Sequence, residues 1–319
     1  MGAIEIKGLT KYYKKHAAIK EVDLSVEAGE IYGFIGPNGA GKSTTIKALL
    51  NFIYPDKGEA KILGLDSIKE AKKIREKVGY VSSDVRFYPN MTTMDTLKYV
   101  AEFHGLKESK KRIDYFVELF EIDDKKKVSE LSLGNKKKIA IAAGLLSKPE
   151  LLILDEPTNG LDPLMQHRLF EELERYNKEG MTIFLSSHDL NEIQQHAHRA
   201  AFIREGEIIT VQDISKEKSL GKVITLVGDE IPLSLFEKMG AAILKHEGNE
   251  TRLFYEGDLH EVLPLLADQS IQDFTITTPE LEDQFMALYE GGELKMIVAK
   301  IESHSLIKKF DYLEYFCLV

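Results

Sequence analysis

Nine residues, GPNGAGKST at positions 36–44, match in full the loop that binds nucleotide phosphates. Its three glycines let the backbone bend so that N–H groups face phosphate oxygens. Lys42 supplies a positive charge to the β and γ phosphates, and Ser43 offers a hydroxyl ligand to Mg²⁺. The apolar run 31–35 predicts a strand before the loop, and residues 43–53 predict a helix after it, which is the context that this loop requires.

An acidic pair ends the apolar run LLILDEP, residues 151–157. Asp155, at the strand end, can hold the hydrated Mg²⁺, and Glu156 can orient a water molecule against the γ-phosphate as a general base. Taken alone, Asp-Glu-Pro is equally typical of a helix start with acidic caps. The phosphate loop upstream favours the catalytic interpretation.

Two further positions fit phosphate chemistry. The segment LSLGNKKK, residues 131–138, places small residues at a predicted helix start, where free N–H groups and the helix dipole attract an anion. His188 follows the strand-like run TIFLSS, at the sheet edge where α/β proteins bind ligands, and its imidazole can hydrogen-bond a γ-phosphate. A lone histidine at this point is more often a helix cap or a surface residue.

Composition narrows the functional classes. The 319 residues are 43% hydrophobic and carry a formal net charge of -10, which argues against a general nucleic-acid-binding surface. The single cysteine, Cys317, permits no intrachain disulfide and fits a reducing compartment. The start, MGAIEIKGLT, lacks a signal-peptide core, and no run approaches the ~18 apolar residues of a membrane span. We therefore expect a membrane to be involved only through a partner.

The patterning predicts an α/β protein with two domains. Short apolar runs alternate with amphipathic helical stretches over residues 1–213, except that about 92–147 holds helical patterns alone and reads as a helical subdomain. A charged, turn-rich run near 213–222 indicates a boundary. Residues 214–319 then predict a smaller accessory α+β domain and tail, whose elements follow the βαββαβ order of a ferredoxin-like unit.

The set GPNGAGKST, LSLGN, LLILDEP, NGLD (159–162) and the histidine after LSS resembles, in order and spacing, the ATP-binding cassette of ABC transporters. The resemblance covers about residues 3–213. It implies a P-loop NTPase fold with a RecA-like core, an antiparallel β portion and a helical signature subdomain. The chain is most similar to the separate ATPase subunits of bacterial ABC-2-type exporters, which commonly carry a C-terminal extension ending much like residues 279–293.

The resemblance implies roles for individual residues. The segment LSLGN, at the position of the family's signature motif, would close over the ATP of a second cassette packed head to tail. Each site would then be shared by two chains. Asp162 would lie at the interface between the two sites. Tyr13 would stack on adenine, although Tyr12 competes for that role and a strand tyrosine can instead pack in the core. The implied residues are Glu156 and His188 for catalysis; Tyr13, Gly36, Pro37, Asn38, Gly39, Ala40, Gly41, Lys42, Ser43 and Thr44 for nucleotide; Ser132, Gly134 and Asn135 for the signature in trans; and Ser43 and Asp155 for the metal.

The chain departs from the family pattern at three points. Ser83 stands where the family usually has a glutamine that contacts Mg²⁺ and water, so that contact is in doubt, and Asp84 is the alternative. Leu133 and Asn135 replace the usual glycine and glutamine of the signature. Since Ser132 and Gly134 are retained, the contact in trans is expected to survive.

We therefore expect an ATPase, with ATP and Mg²⁺, that powers export through a separate membrane permease. It would form a pair of cassettes, most simply a homodimer, and lie in the cytoplasm on the inner face of the membrane. Alternatives are an ABC ATPase with a soluble target and an ATP-switched regulatory module. Phe87 and Tyr88 are predicted either to line the groove that receives the permease or to pack on the core as part of an ordinary loop. The apolar tail 294–319 is either an interface or packs on its own domain.

Overall fold

A computed structural model describes residues 2–214, 221–255, 257–268 and 270–277. The chain divides into two compact units, Met1–Ser215 and Lys216–Val319. The segments 279–293 and 294–319, and most of the boundary predicted near 213–222, lie outside the described residues. Within the described part, no helix has both the length and the apolar character needed to cross a bilayer.

The first unit begins with three consecutive strands, after which strands and helices largely alternate, as the sequence predicts. The strands are β1 (Gly2–Tyr13), β2 (His16–Glu27), β3 (Ile31–Ile35), β4 (Lys57–Ile62), β5 (Leu65–Asp66), β6 (Val78–Val81), β7 (Leu151–Asp155), β8 (Thr182–Ser187), β9 (Arg199–Arg204) and β10 (Glu207–Asp213). The helices are α1 (Lys42–Leu49), α2 (Ala71–Lys77), α3 (Thr93–Phe103), α4 (Lys110–Leu119), α5 (Leu133–Leu146), α6 (Pro163–Lys178) and α7 (Leu190–His196), with a 3₁₀ turn at Val128–Glu130.

A mainly parallel sheet forms the centre of this unit, in the order β10-β9-β3-β8-β7-β6, with β10 antiparallel at the edge. Strands β3, β7 and β8 are buried along their whole length, which is why their sequences are continuous apolar runs rather than alternating ones. In the parallel register, Ile35 pairs with Ser187, and Asp155 pairs with Ser186. The ends of β3, β7 and β8 therefore meet at one edge of the sheet.

A second, antiparallel sheet has the order β2-β1-β4-β5. Helix α1 packs against β1, β2 and β4 of this sheet and against β7 of the parallel sheet. The shared core includes Ile4, Leu9 and Ile19 from one sheet and Tyr32 and Phe184 from the other. This core fixes the start of α1, and with it the phosphate loop, between the two sheets.

The helical subdomain consists of α3, α4 and α5, which pack on one another, with the short 3₁₀ turn before α5. Side-chain oxygens set two of the helix starts: Thr92 accepts a hydrogen bond from Asp95 N–H, and Ser132 accepts one from Asn135 N–H. Helix α5 also packs on β6 and so joins the subdomain to the sheet. The predicted fold of a P-loop NTPase cassette with a helical subdomain is confirmed.

The second unit has the predicted βαββαβ order. Its elements are β11 (Lys222–Gly228), α8 (Leu233–Lys238), β12 (Ala242–Glu247), β13 (Glu250–Tyr255), α9 (Leu259–Leu266) and β14 (Ile271–Thr277). The sheet order is β12-β13-β11-β14, with antiparallel neighbours throughout, as in a ferredoxin-like fold. Ile224, Leu226, Leu253 and Tyr255 of the sheet pack with Phe236 of α8 in a separate core.

Candidate functional site

The phosphate loop leaves β3 at Ile35 and turns directly into α1. Gly39 and Gly41 have φ angles of 83° and 110°, which side chains rarely tolerate. A Cβ on Gly41 would also come within 2.7 Å of the carbonyl oxygen of Ala18. The loop therefore needs glycine at this position to bring the start of α1 to the sheet edge, where unpaired N–H groups attract phosphate.

Lys42 is buried at the base of the loop. Its Nζ donates to the carbonyl oxygens of Gly36 and Pro37 and lies 3.0 Å from Glu156 Oε1. The loop and the acidic pair are thus in direct contact, as parallel strands ending at the same edge require. A cation at this point can contact a phosphate and the carboxylate that would polarise the attacking water.

Asp155 is fully buried and accepts hydrogen bonds from three serine hydroxyls. Ser43 Oγ and Ser186 Oγ lie 3.1 and 2.8 Å from Oδ1, and Ser83 Oγ lies 2.9 Å from Oδ2. Hydroxyl and carboxylate oxygens are the donors that Mg²⁺ prefers, so Ser43 and Asp155 fit this metal. Ser83, doubtful from the sequence alone, is in contact with the same carboxylate.

The carboxylate of Glu156 lies between the side chains of Lys42 and His188. Its Oε1 is paired with Lys42, and its Oε2 lies 2.7 Å from His188 Nδ1 and 3.5 Å from Asn159 Nδ2. The backbone of Glu156 is left-handed, with φ of 50°, and its N–H donates to both the carbonyl and the hydroxyl oxygen of Ser186 at 3.2 Å. This backbone turn aims the carboxylate back over the phosphate loop instead of along the strand.

His188 follows β8, and its side chain is half exposed beside the buried Glu156. The residues around it are held by Glu192, whose Oε2 accepts a hydrogen bond from Ser187 Oγ at 2.8 Å. Burial raises the pKa of Glu192, and hydrogen bonds from Ser187 and Thr158 oppose that rise. The exposed imidazole can therefore serve both Glu156 and a group that approaches from outside.

A cleft of about 310 Å³ lies over the phosphate loop. Its lining includes His16 and Ala18 of β2, together with Ser83 and Asn159. It also includes Glu156 and the loop residues Pro37, Asn38, Gly39, Gly41, Lys42, Ser43 and Thr44. Gly36 contributes its carbonyl to Lys42, whereas Ala40 is buried behind the loop.

Tyr13 lies at the end of β1, and its ring is 48% exposed with Lys11 Nζ 6.0 Å from the ring centre. It is paired across the hairpin with His16, which does line the cleft. Tyr13 does not pack in the core, and adenine stacking by Tyr13 stays a prediction. His16, which the sequence interpretation did not consider, is two residues from Ala18 on β2, and both residues line the cleft.

The predicted signature residues lie at the start of α5 and are absent from the lining of the phosphate-loop cleft. Ser132 is exposed and caps the helix by accepting from Asn135 N–H at 3.3 Å. A Cβ on Gly134 would overlap the carbonyl oxygen of Gly160, so the signature packs closely on the NGLD segment. Asp162 caps α6 by accepting from Met165 N–H at 3.0 Å.

The sequence interpretation missed Lys137, which is 1% exposed. Its Nζ donates to the carbonyl oxygens of Glu156, Ser82 and Ser83 at 3.0, 3.1 and 3.3 Å. Burial lowers the pKa of Lys137, and the charges of Asp155 and Glu156 oppose that fall. The helical spacing does indicate that Lys137 is buried, because it shares a helix face with the buried Ile141 and Leu145, at i+4 and i+8.

A groove of about 270 Å³ lies between the sheet edge and the helical subdomain. Phe87 lines it, together with Tyr80 of β6, Val100 of α3 and Ala140 of α5. Tyr88, which was predicted to join Phe87, is 65% exposed and meets the ring of Tyr99 edge-on at 6.2 Å. The lining of the groove includes Phe87 and not Tyr88.

Comparison with known proteins gives a consistent family. Residues 19–159 match the family model described as ABC transporter. The chain is 33% identical over 314 residues to the bacitracin transport ATP-binding protein BcrA of Bacillus licheniformis, covering 91% of this chain and 98% of that one. It is 36% identical over 236 residues to the lantibiotic transport ATP-binding protein SrtF of Streptococcus pyogenes, covering 74% and 99%.

Among solved structures, the chain is similar to a dimeric ATP-binding cassette in a post-hydrolysis state bound to ADP and phosphate. The TM-score is 0.62 and the identity 26%, over 66% of this chain and 98% of that one.

Proposed function

The chain belongs to the ATP-binding subunits of ABC transporters, and from that premise we propose that it powers the export of an antimicrobial compound through a separate permease. The chain is an ATPase that uses ATP and Mg²⁺ and works with a second cassette and a membrane permease. The proposal of antimicrobial cargo is supported by relatives named for bacitracin and lantibiotic transport. We place the protein in the cytoplasm, on the inner face of the membrane.

The observation that carries the proposed chemistry is the contact of Glu156 with both Lys42 and His188. Lys42 and the N–H groups of the loop bind the β and γ phosphates. Glu156 orients the attacking water and accepts its proton, while His188 holds the carboxylate and hydrogen-bonds the γ-phosphate. Ser43 and Asp155 would hold Mg²⁺, which would supply positive charge against the charge that develops on the phosphates.

The signature residues serve the partner's nucleotide. Ser132, Gly134 and Asn135 begin a helix outside the chain's own cleft, at a point where N–H groups and the helix dipole attract an anion. Asp162 lies on the segment that packs against Gly134 and so reaches the same interface. Head-to-tail pairing then builds two composite sites, each with the phosphate loop of one chain and the signature of the other.

The groove lined by Phe87 suits a short helix of the permease. It lies between the core and the helical subdomain, so a segment seated there contacts both parts of the cassette that must move together. An aromatic ring and aliphatic side chains supply an apolar surface for such a helix.

The test is resistance in cells. The chain is co-expressed with its membrane permease in a susceptible bacterium, and the inhibitory concentrations of bacitracin and a lantibiotic are measured. We expect wild type to raise them and Glu156→Gln to leave them unchanged, because the base is lost. Phe87→Glu should abolish resistance while the purified protein retains its ATPase activity. No change with wild type, at confirmed expression of both proteins, would contradict the proposed cargo.

A further inference from the structure

Lys137 is a buried ammonium group for which no ordinary surface role is available. It is 1% exposed, and its three N–H donors match the three carbonyl oxygens within 3.3 Å. Placing a charge in the interior is unfavourable unless hydrogen bonds and nearby opposite charges compensate. An apolar residue on this helix face would avoid that cost, so the lysine needs a reason beyond packing.

The first carbonyl belongs to Glu156, whose backbone adopts the left-handed conformation that non-glycine residues rarely occupy. Ser186 holds the N–H of Glu156, and Lys137 holds its carbonyl oxygen. With both sides of the residue fixed, the carboxylate is directed toward Lys42 and His188. Backbone strain of this kind persists only where the surroundings enforce it.

The other two carbonyls belong to Ser82 and Ser83, immediately after β6. Ser83 places its hydroxyl 2.9 Å from Asp155 Oδ2. One ammonium group therefore ties the segment that contacts the metal-side carboxylate to the backbone of the neighbouring base.

We propose that Lys137 is a positioning residue for ATP hydrolysis: its hydrogen bonds to Glu156, Ser82 and Ser83 hold the general base and the Ser83 hydroxyl in their working geometry. The inference rests on the proposed role of Glu156 as the base. Because Lys137 is on α5 and absent from the lining of the phosphate-loop cleft, it acts on the chemical step and leaves ATP binding to the loop.

The test compares Lys137→Met, Lys137→Gln and, as a matched control, Lys138→Met in the purified full-length protein. Methionine keeps the length of the side chain and removes all donors, whereas glutamine restores two N–H donors without charge. We expect Lys137→Met to lower kcat about 10- to 100-fold, the scale of a misplaced catalytic group, with the Kd for ATP changed less than about threefold. Lys137→Gln should recover at least part of kcat, and Lys138→Met should match wild type.

Three results would overturn the proposal: a kcat for Lys137→Met within twofold of wild type, a parallel loss of ATP affinity and kcat, or a Lys137→Gln variant no better than Lys137→Met. If Lys137→Met does not fold, Lys137→Leu, which also lacks donors, takes its place: a kcat within twofold of wild type contradicts the proposal, and a lower kcat at unaltered ATP affinity supports it. Glu156→Gln is assayed beside them. Full activity of that variant would reject Glu156 as the base, whereas its inactivity with an active Lys137→Met rejects only the role of Lys137.

Discussion

The proposed composite sites, each shared by two chains, predict that two inactive variants restore activity when mixed. Glu156→Gln lacks the base but keeps its signature. The second variant must lose the signature and keep its own phosphate loop and base. Gly134 is a poor choice, because any Cβ there overlaps the carbonyl oxygen of Gly160 within the same chain. Ser132→Asp is cleaner, since aspartate caps a helix as well as serine does and its charge suits the helix start.

The expected effect of Ser132→Asp follows from electrostatics. A carboxylate about 4 Å from one phosphate charge costs about 4 kcal/mol at an effective dielectric constant near 20. That cost corresponds to a roughly 1000-fold loss of activity, because each 1.4 kcal/mol is a factor of ten. The control is Ser132→Asn, which retains the cap and adds no charge, and should lose far less. Wild type, Ser132→Asp and Ser132→Asn should melt at similar temperatures, because each retains a side chain that caps α5.

In the mixed dimer, the phosphate loop and Glu156 of the Ser132→Asp chain face the unaltered signature of the Glu156→Gln chain. One of its two sites is therefore complete, and the other carries both changes. Random pairing of equal amounts makes about half of the dimers mixed, so ATPase activity should return to roughly a quarter of wild type if each site fires alone. If cross-linking shows mixed dimers and no activity returns, the assignment of Ser132 to the partner's nucleotide is refuted.

Two further predictions concern Glu192 and Ser83, which lie close to the proposed catalytic residues. Burial raises the pKa of Glu192, so its carboxyl group binds a proton more tightly in the folded chain than in the unfolded chain. Wild type therefore loses stability as the pH rises from the ordinary pKa of a glutamate through the higher pKa of the folded chain. Glu192→Gln cannot ionise, and its melting temperature relative to wild type should therefore rise from about pH 4 to about pH 7; a constant or falling difference would contradict this. Ser83→Ala should raise the Mg²⁺ concentration for half-maximal ATPase activity by roughly threefold or more, since it removes one hydroxyl that orients Asp155, whereas Ser82→Ala should change it little.

The parts of the site that the sequence predicts are those carried by local pattern. The phosphate loop needs its strand, its glycines and its helix within a few residues, and Asp155 follows from the end of an apolar run. The sequence also predicts the ferredoxin-like order of elements in the second unit, because the signals for strands and helices are local. The predicted fold class is confirmed, and the strands and helices predicted within the described residues are present.

Other parts depend on which strands become neighbours. Ser186 and Ser83 contact Asp155 only because β6, β7 and β8 lie side by side, and the spacing along the chain carries no such information. The left-handed backbone of Glu156 and the burial of Lys137 arise in the same way, from segments that are distant in sequence. A lysine in a KKK run is usually exposed, and only the apolar residues at i+4 and i+8 indicate otherwise.

Contacts within one chain connect the signature segment to Glu156, and through them the two proposed composite sites can influence each other. Gly134 of the signature packs on Gly160, and Asn159, next in the chain, donates toward Glu156 Oε2 at 3.5 Å. Lys137, on the same helix as Gly134, holds the backbone of Glu156. Two short paths thus join the segment proposed to meet the partner's nucleotide to Glu156, the proposed base. Under the proposed trans contact, closure of the signature on the partner's ATP would act on Glu156 through these contacts, because closely packed segments shift together rather than singly.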